Sequence, residues 1–306
     1  MTPILLLEQS LNGLQFGLML FLLAAGLTLV FGIMDMINLA HGSLYMVGAY
    51  LVASITTASG SFWLGLGAGM VAMAVLGVVL ELSVLQHFYR RDHLSQVLGT
   101  FALLLMANEA VRMVWGSQPI SLNPPDALAG PVELLPGFFY SAYRLFIIGV
   151  GLAVALLLYL LVTRTRLGMQ VRAGASNRDM ALAMGVPVRR LFTGVFALGA
   201  ALCALAGGLL GPLLAVQVGM GESILILAFV VIVIGGIGSM RGAFLGAMLV
   251  GVVDTAGRAL LPLLLEVLFD ADTASSAGAA LASILIYVLM AAVLLWKPRG
   301  LFPAHG

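Results

Sequence analysis

Long apolar stretches separated by short polar segments occupy almost the whole chain. A helix needs about 20 mainly apolar residues to cross a membrane. The seventh stretch is short and ends in the glycine-rich sequence IGGIGS, which is typical of a broken or re-entrant helix. We predict about nine spans, within a range of eight to ten, at residues 11–33, 37–57, 62–85, 95–115, 143–163, 191–213, 223–239, 242–263 and 279–296.

The composition indicates that most of these stretches lie in a membrane. Hydrophobic residues form 62% of the 306 positions and charged residues only 9%, whereas soluble domains average roughly 45–50% apolar and about 25% charged. The net charge of +1 supplies no basic patch for nucleic acid. The fold class predicted is therefore an all-α polytopic membrane protein with one transmembrane domain over residues 1–306.

The arginines predict how the chain is oriented. Six of them lie in residues 164–190 against one acidic residue, Asp179, and short loops rich in Lys and Arg stay cytoplasmic. Alternation from this loop places the N-terminus outside and the C-terminus inside. The other basic positions outside the spans fall on the cytoplasmic side in this alternation: Arg90, Arg91, Arg241, Lys297 and Arg299.

The cytoplasmic segment 164–190 contains a short helix with signals at both ends. Ser176 followed three residues later by Asp179 is typical of a capping box, and Gly185 suits the left-handed position after a helix. The pattern predicts a helix over 177–184 with a narrow apolar face formed by Met180, Ala183 and Met184.

So short a helix is not stable alone in water and needs a surface to dock on. Two surfaces are compatible with the pattern. The helix can lie on the lipid headgroups, assisted by its arginines, or it can insert into a groove of a cytoplasmic protein. The residues alone favour neither the lipid surface nor the protein groove.

Polar residues inside the spans are the candidates for a substrate pathway, because polar groups at membrane depth are costly and usually face the bundle interior. Asn38, His41 and Ser43 cluster between two apolar runs, although a plain turn at the cytoplasmic interface explains them equally well. Asn108 and Glu109 lie in the fourth span. No second His or Cys stands at metal-ligand spacing near His41, so we expect no metal site.

Two further patterns are structural. Asp254 and Arg258 are four residues apart in one predicted helix, which favours an ion pair on one face. The glycines of the seventh and eighth spans permit a sharp break and close helix contact. These candidate hinge and packing positions are Gly235, Gly236, Gly238, Gly242 and Gly246.

The chain contains no GxxxxGK[ST] phosphate-binding loop, so ATP, if it drives transport, is bound by another chain. One possible function is that of an ion-coupled secondary transporter, which would use buried acids such as Glu109 or Asp254. A second possible function is that of a membrane-embedded enzyme, for which no catalytic set is visible. We predict no catalytic residues in this chain.

Four segments together resemble one family. They are INLAHGSLYMVGAY at 37–50, RLGMQVRAGASNRDMALAMGVPVRRL at 166–191, GGIGSMRGAFLGA at 235–247 and LWKPRGLF at 295–302. In this order they resemble the signature regions of LivH-type permeases, the membrane subunits of branched-chain amino acid ABC importers. The resemblance runs nearly end to end.

The resemblance implies a type II importer-like permease of the bacterial inner membrane that works by alternating access. It implies a homologous second permease (LivM-like) or a second copy, two cytoplasmic ATPases that bind ATP and Mg, and a periplasmic solute-binding protein. It favours docking on an ATPase for the short helix. The coupling residues it implies are Ser176, Asn177, Arg178, Asp179, Met180, Ala181, Ala183, Met184 and Gly185.

Two positions depart from the family pattern. Ser43 stands where many members carry an acid, and Arg241 stands where proline is frequent. Since members of the family also move amides, urea and other small organic solutes, these remain alternative substrates to branched-chain amino acids.

Overall fold

The computed structural model describes residues 3–89, 91–267 and 269–302, and the predicted cytoplasmic residue Arg90 lies outside them. Helices dominate this part of the chain. In order they are α1 (Pro3–Met34), α2 (Ala40–Ser59), α3 (Phe62–Ser83), α4 (His93–Trp115), α5 (Ala142–Arg164), α6 (Arg166–Ser176), α7 (Arg178–Ala183), α8 (Val188–Leu210), α9 (Met220–Gly235), α10 (Met240–Leu265) and α11 (Ala271–Trp296).

The polytopic helical prediction is confirmed, and each of the nine predicted spans coincides with one of these helices. Within the described residues, seven helices are long and apolar enough to cross a membrane. The remaining two are atypical: α2 falls outside that set, and α9 has only 16 residues.

The helix α1 forms the centre of the bundle. It packs against α5, α8, α9 and α10, and its residues from Leu18 to Ala25 are at most 2% exposed. The helix is apolar on all sides, which is typical of a helix surrounded by other helices. The helices α3, α4, α5, α10 and α11 bury much smaller shares of their surface and form the periphery.

The chain re-enters the bundle between α1 and α2. Asp35 adopts a left-handed backbone (φ 50°), and residues 35–38 then run without helical structure. His41, in the first turn of α2, lies 3.3 Å from the carbonyl oxygen of Leu23. Leu23 is eleven residues before the end of α1, which corresponds to about 16 Å of helix. The helix α2 therefore begins near the middle of the bundle.

The short helix α9 begins beside the start of α2. A Cβ atom on Gly42 would lie closer than 3.0 Å to the carbonyl oxygen of Gly221, and the reverse is also true, so two backbones touch here. At its other end α9 is followed by the C-terminal segment. The N–H groups of Leu301 and Phe302 donate to the carbonyl oxygens of Ile234 and Gly235 at 2.8 and 2.9 Å, which satisfies carbonyls that a helix end leaves free.

The loop between α4 and α5 contains strands that the all-α prediction missed. Strand β1 (Pro131–Leu135) pairs antiparallel with β2 (Phe138–Ser141), and Gly137 (φ 81°) forms the turn. The glycine supplies the positive φ that such a turn requires. The hydroxyl of Tyr140 donates to Asn12 at 2.9 Å, which fixes the hairpin to α1.

The described basic residues that the charge pattern assigns to the cytoplasmic side lie at one end of the bundle. Arg189 donates to Gln86 at 2.6 Å, and Arg91 and Arg178 line one cavity. The opposite end carries the hairpin, with Arg144 donating to Asn12 at 2.6 Å. The loops that the charge pattern assigns to one side of the membrane are thus at one end of the structure.

Candidate functional site: a coupling helix and a polar face

Residues 164–190 contain two helices rather than the one that was predicted. The helix α6 extends to Ser176, and Asn177 then caps α7 by accepting a hydrogen bond from the N–H of Met180 at 2.9 Å. The prediction that Ser176 starts the short helix is therefore wrong. Both Ser and Asn cap helices well, but Ser176 is held in α6 and only Asn177 has the extended backbone of a cap.

The far end of α7 is as predicted. Gly185 has a left-handed backbone (φ 82°), its N–H donates to Leu182 and the N–H of Val186 donates to Ala181. Gly185 therefore ends the helix in the conformation that glycine adopts most readily.

The predicted apolar face of α7, formed by Met180, Ala183 and Met184, is exposed in the structure. Met180, Leu182 and Met184 are 60%, 50% and 78% exposed, whereas Ala181 is buried against the bundle. Arg178 and Asp179 lie in the first turn, and the guanidinium of Arg178 stacks 4.9 Å above the ring of Phe192. A folded helix thus presents large apolar side chains, including Leu182, away from its own protein.

The predicted pathway residues fall into two groups. Asn38 and His41 are fully buried and Ser43 is 5% exposed at the start of α2. Ala40 donates its N–H to the side chain of Asn38 at 3.0 Å, and Ser43 donates to the carbonyl of Ala40. The full burial of His41 excludes its interpretation as a solvent-exposed residue at the membrane interface. Asp35, by contrast, is exposed. The group stabilises the buried end of α2.

The second group forms a polar face on α4 and α9. Asn108 donates to the carboxylate of Glu222 at 2.6 Å, and Arg112 donates to Glu109 at 3.1 Å. The side chains of Arg112 and Glu109 are 55% and 56% exposed. The helix α4 packs mainly against α2, so most of its surface, including these charges, is open.

Glu222 is the residue of this face that the sequence analysis does not place in the pathway. It follows Asn108 by 114 positions, and nothing in the local sequence GMGES distinguishes it from an ordinary acid at a helix start. Only the position of α9 beside α2 brings it to α4.

The hinge glycines occupy the junction of α9 and α10. Gly235 and Gly242 approach each other so closely that a Cβ on either would lie within 3.0 Å of the other's carbonyl, and Gly246 meets the carbonyl of Val231. Gly236 and Gly238 have positive φ angles of 105° and 78°. These glycines let the backbone break and the two helices pack closely.

Two further acidic residues in the spans, Asp254 and Glu81, have hydrogen-bond partners. Arg258 donates to Asp254 at 2.9 Å, as predicted. Fully buried Glu81 accepts hydrogen bonds from Tyr89 at 2.6 Å and Thr193 at 2.7 Å. Within the described ranges, no group of three or more His, Cys, Asp or Glu could hold a metal ion.

Comparisons with known proteins agree with this architecture. The family described as branched-chain amino acid transport system permease component matches residues 9–294. The chain is 30% identical to the high-affinity branched-chain amino acid transport system permease protein BraD of Pseudomonas aeruginosa, over 96% of this chain and 95% of BraD.

Two relatives from Escherichia coli K12 carry similar names. LivH is 30% identical over 83% of this chain and 87% of its own length. LivM is 26% identical over 92% of this chain and 67% of its own length. No solved structure matches the chain. A multi-pass helical bundle that matches this family over nearly its whole length is a transport permease rather than an enzyme, and the chain belongs to the branched-chain amino acid transport system permease family.

Proposed function

We propose that this chain is the membrane-spanning permease subunit of an ATP-driven ABC importer of branched-chain amino acids in a bacterial inner membrane. The observation that carries the proposal is the exposed apolar face of α7, on which Met180 and Met184 lie four residues apart. In this assignment the C-terminus and segment 164–190 are cytoplasmic. The names of BraD and LivH support the substrate class.

The helix α7 is the surface that couples transport to ATP hydrolysis. Its two ends are fixed by Asn177 and Gly185, so the apolar side chains keep one orientation relative to the bundle. A groove on a cytoplasmic ATPase buries such a face as other helix-in-groove complexes do. Two ATPases bind ATP and Mg, and this chain holds no cofactor of its own.

The polar face of α4 and α9 is the permease's side of the substrate pathway. Charged side chains that face lipid are costly, and Glu109 and Arg112, in the last two turns of α4, are more than half exposed. A second permease that covers this face, with an aqueous pathway between the two, removes that cost. The similarity to LivM supports a homologous partner, with a second copy as the alternative.

A periplasmic solute-binding protein delivers the substrate to this pathway, and alternating access moves it inward. The rival ion-coupled mechanism finds little support, because both acids suggested for it, Glu109 and Asp254, are paired with arginines.

Reconstitution tests the proposal. The chain is placed in liposomes with a candidate second permease, two ATPases and a binding protein, and uptake of labelled leucine, isoleucine, valine, urea and short amides is measured. We expect ATP-dependent uptake of the branched-chain amino acids. Uptake that follows an ion gradient without ATPases contradicts the ABC assignment, and uptake of urea or amides alone contradicts the substrate.

The pathway assignment makes a separate prediction. Arg112→Met leaves Glu109 uncompensated at the pathway, so we expect uptake per folded molecule to fall by about tenfold, which corresponds to about 1.4 kcal/mol. Asp254→Asn provides the matched control, because it breaks an ion pair on α10, away from α4. We expect the control to lower the yield of folded protein but not uptake per molecule. Equal uptake losses in the two variants would place the Glu109 pair outside the pathway.

A further inference from the structure

Two adjoining cavities lie along the surface between α5 and α10. One is apolar, has a volume of about 450 Å³, and includes Phe21, Leu152, Leu156, Phe244 and Leu245 in its lining. The other has a volume of about 500 Å³ and lies at the end of the bundle that carries the basic residues. Tyr159, Met240 and Arg241 line both cavities, so the two adjoin, and together they are called the groove. The helix α1 provides its floor.

The second cavity contains the groups that bind a phosphate. The guanidiniums of Arg172 and Arg241 line it together with Thr163 and Ser239. Arg172 donates to the carbonyl of Val162, and Arg241 lies 5.8 Å from the ring centroid of Tyr159. Each guanidinium has five N–H donors, so both retain donors for an anion.

One further observation favours an anion in this cavity. Ser239, Met240 and Arg241 form the N-terminal end of the 26-residue helix α10. The free N–H groups and dipole of a helix start favour an anion there.

We propose that this groove binds an anionic phospholipid of the cytoplasmic leaflet. The phosphate lies between Arg172 and Arg241 at the start of α10. An acyl chain lies along the apolar cavity. Because a basic cavity adjoins an apolar one, a lipid fits the groove better than a free phosphate, which would use only the basic cavity. The assignment of the leaflet rests on the orientation proposed above, whereas the site does not depend on the transported substrate.

Native mass spectrometry of the full chain, purified from membranes containing phosphatidylglycerol and phosphatidylcholine, tests the proposal. We expect phosphatidylglycerol to be retained preferentially. Arg172→Gln and Arg241→Gln should each weaken its retention by about fivefold, since a basic residue contributes about 1 kcal/mol of attraction to anionic lipid. Arg164→Gln is the matched control, because Arg164 is exposed at the same end and lines neither cavity.

A separate variant tests whether the apolar cavity holds an acyl chain. Ala155 lines the apolar cavity, so Ala155→Trp should fill it and displace the lipid while both arginines remain. Leu157→Trp, on an exposed position of the same helix outside the groove, should leave retention unchanged.

Three outcomes overturn the proposal. If Arg164→Gln costs as much retention as Arg241→Gln, the attraction is a general property of the basic surface. If inorganic phosphate displaces the lipid and Ala155→Trp has no effect, the cavity binds free anions. If the wild-type chain retains no phosphatidylglycerol and Ala155→Trp instead dissociates a dimer, the groove is covered by a second copy.

Discussion

Gly235→Val and Gly242→Val are each expected to abolish the folded permease. At this junction the backbones of α9 and α10 touch, and a Cβ on either glycine would lie within 3.0 Å of the other's carbonyl. The obstacle is backbone rather than a flexible side chain, so the helices must separate, which we expect to cost about 3 kcal/mol. Size-exclusion chromatography of a fluorescent fusion extracted from membranes measures the folded fraction.

Gly149→Val and Gly67→Val are the controls. Both glycines lie inside membrane helices, and a Cβ on either meets nothing within 4 Å. These variants share the change from glycine to a β-branched residue but not the helix contact, so we expect near-normal yields. If all four variants fold equally well, the close approach of α9 and α10 is not needed for stability.

Gly185→Val is expected to abolish ATP-driven uptake while leaving the protein inserted. The space around Gly185 is open, so the change acts through the backbone: its φ of 82° costs an L-residue about 1–2 kcal/mol and is least tolerated by β-branched residues. Relief of that strain turns the end of α7 and redirects Met184. Uptake into liposomes and co-purification of the ATPases measure the loss.

Gly185→Asn tests whether backbone strain, rather than any change at this position, causes the loss. Asparagine adopts the left-handed conformation more easily than valine does. We expect Asn to preserve most of the coupling that Val removes. Asp179→Arg should also uncouple, because it places a positive charge at the start of α7, where the helix dipole favours a negative one. Persistence of both ATPase association and uptake in the Val and Arg variants would show that α7 is not the coupling helix.

Much of the fold can be predicted from local sequence, because a helix that crosses a membrane consists mainly of apolar residues. The apolar stretches located nine helices of the described part of the chain, and the left-handed Gly185 and the Asp254–Arg258 pair were predicted from residues a few positions apart. In each case the interacting groups lie within one helix or one turn.

The features that escaped prediction depend on residues far apart in the chain. Whether residues 35–39 form a wet turn or a buried re-entrant segment depends on Thr100 of α4, whose hydroxyl accepts the N–H of Leu39 at 3.1 Å. The polar face likewise requires Glu222 to reach Asn108. Ser176 and Asn177 have similar intrinsic capping ability, so only the length of α6 decides between them.

The buried start of α2 also has a consequence for how the protein is made. The N–H of Leu39 pairs with a hydroxyl 61 residues later, which a ribosome working at about 5–20 residues per second supplies roughly 3–12 s afterwards. During that interval the newly made α2 has an unpaired polar end at membrane depth, a costly arrangement. We infer that α2 reaches its final depth only after α4 has emerged, so the first four helices settle into the bilayer together rather than one at a time.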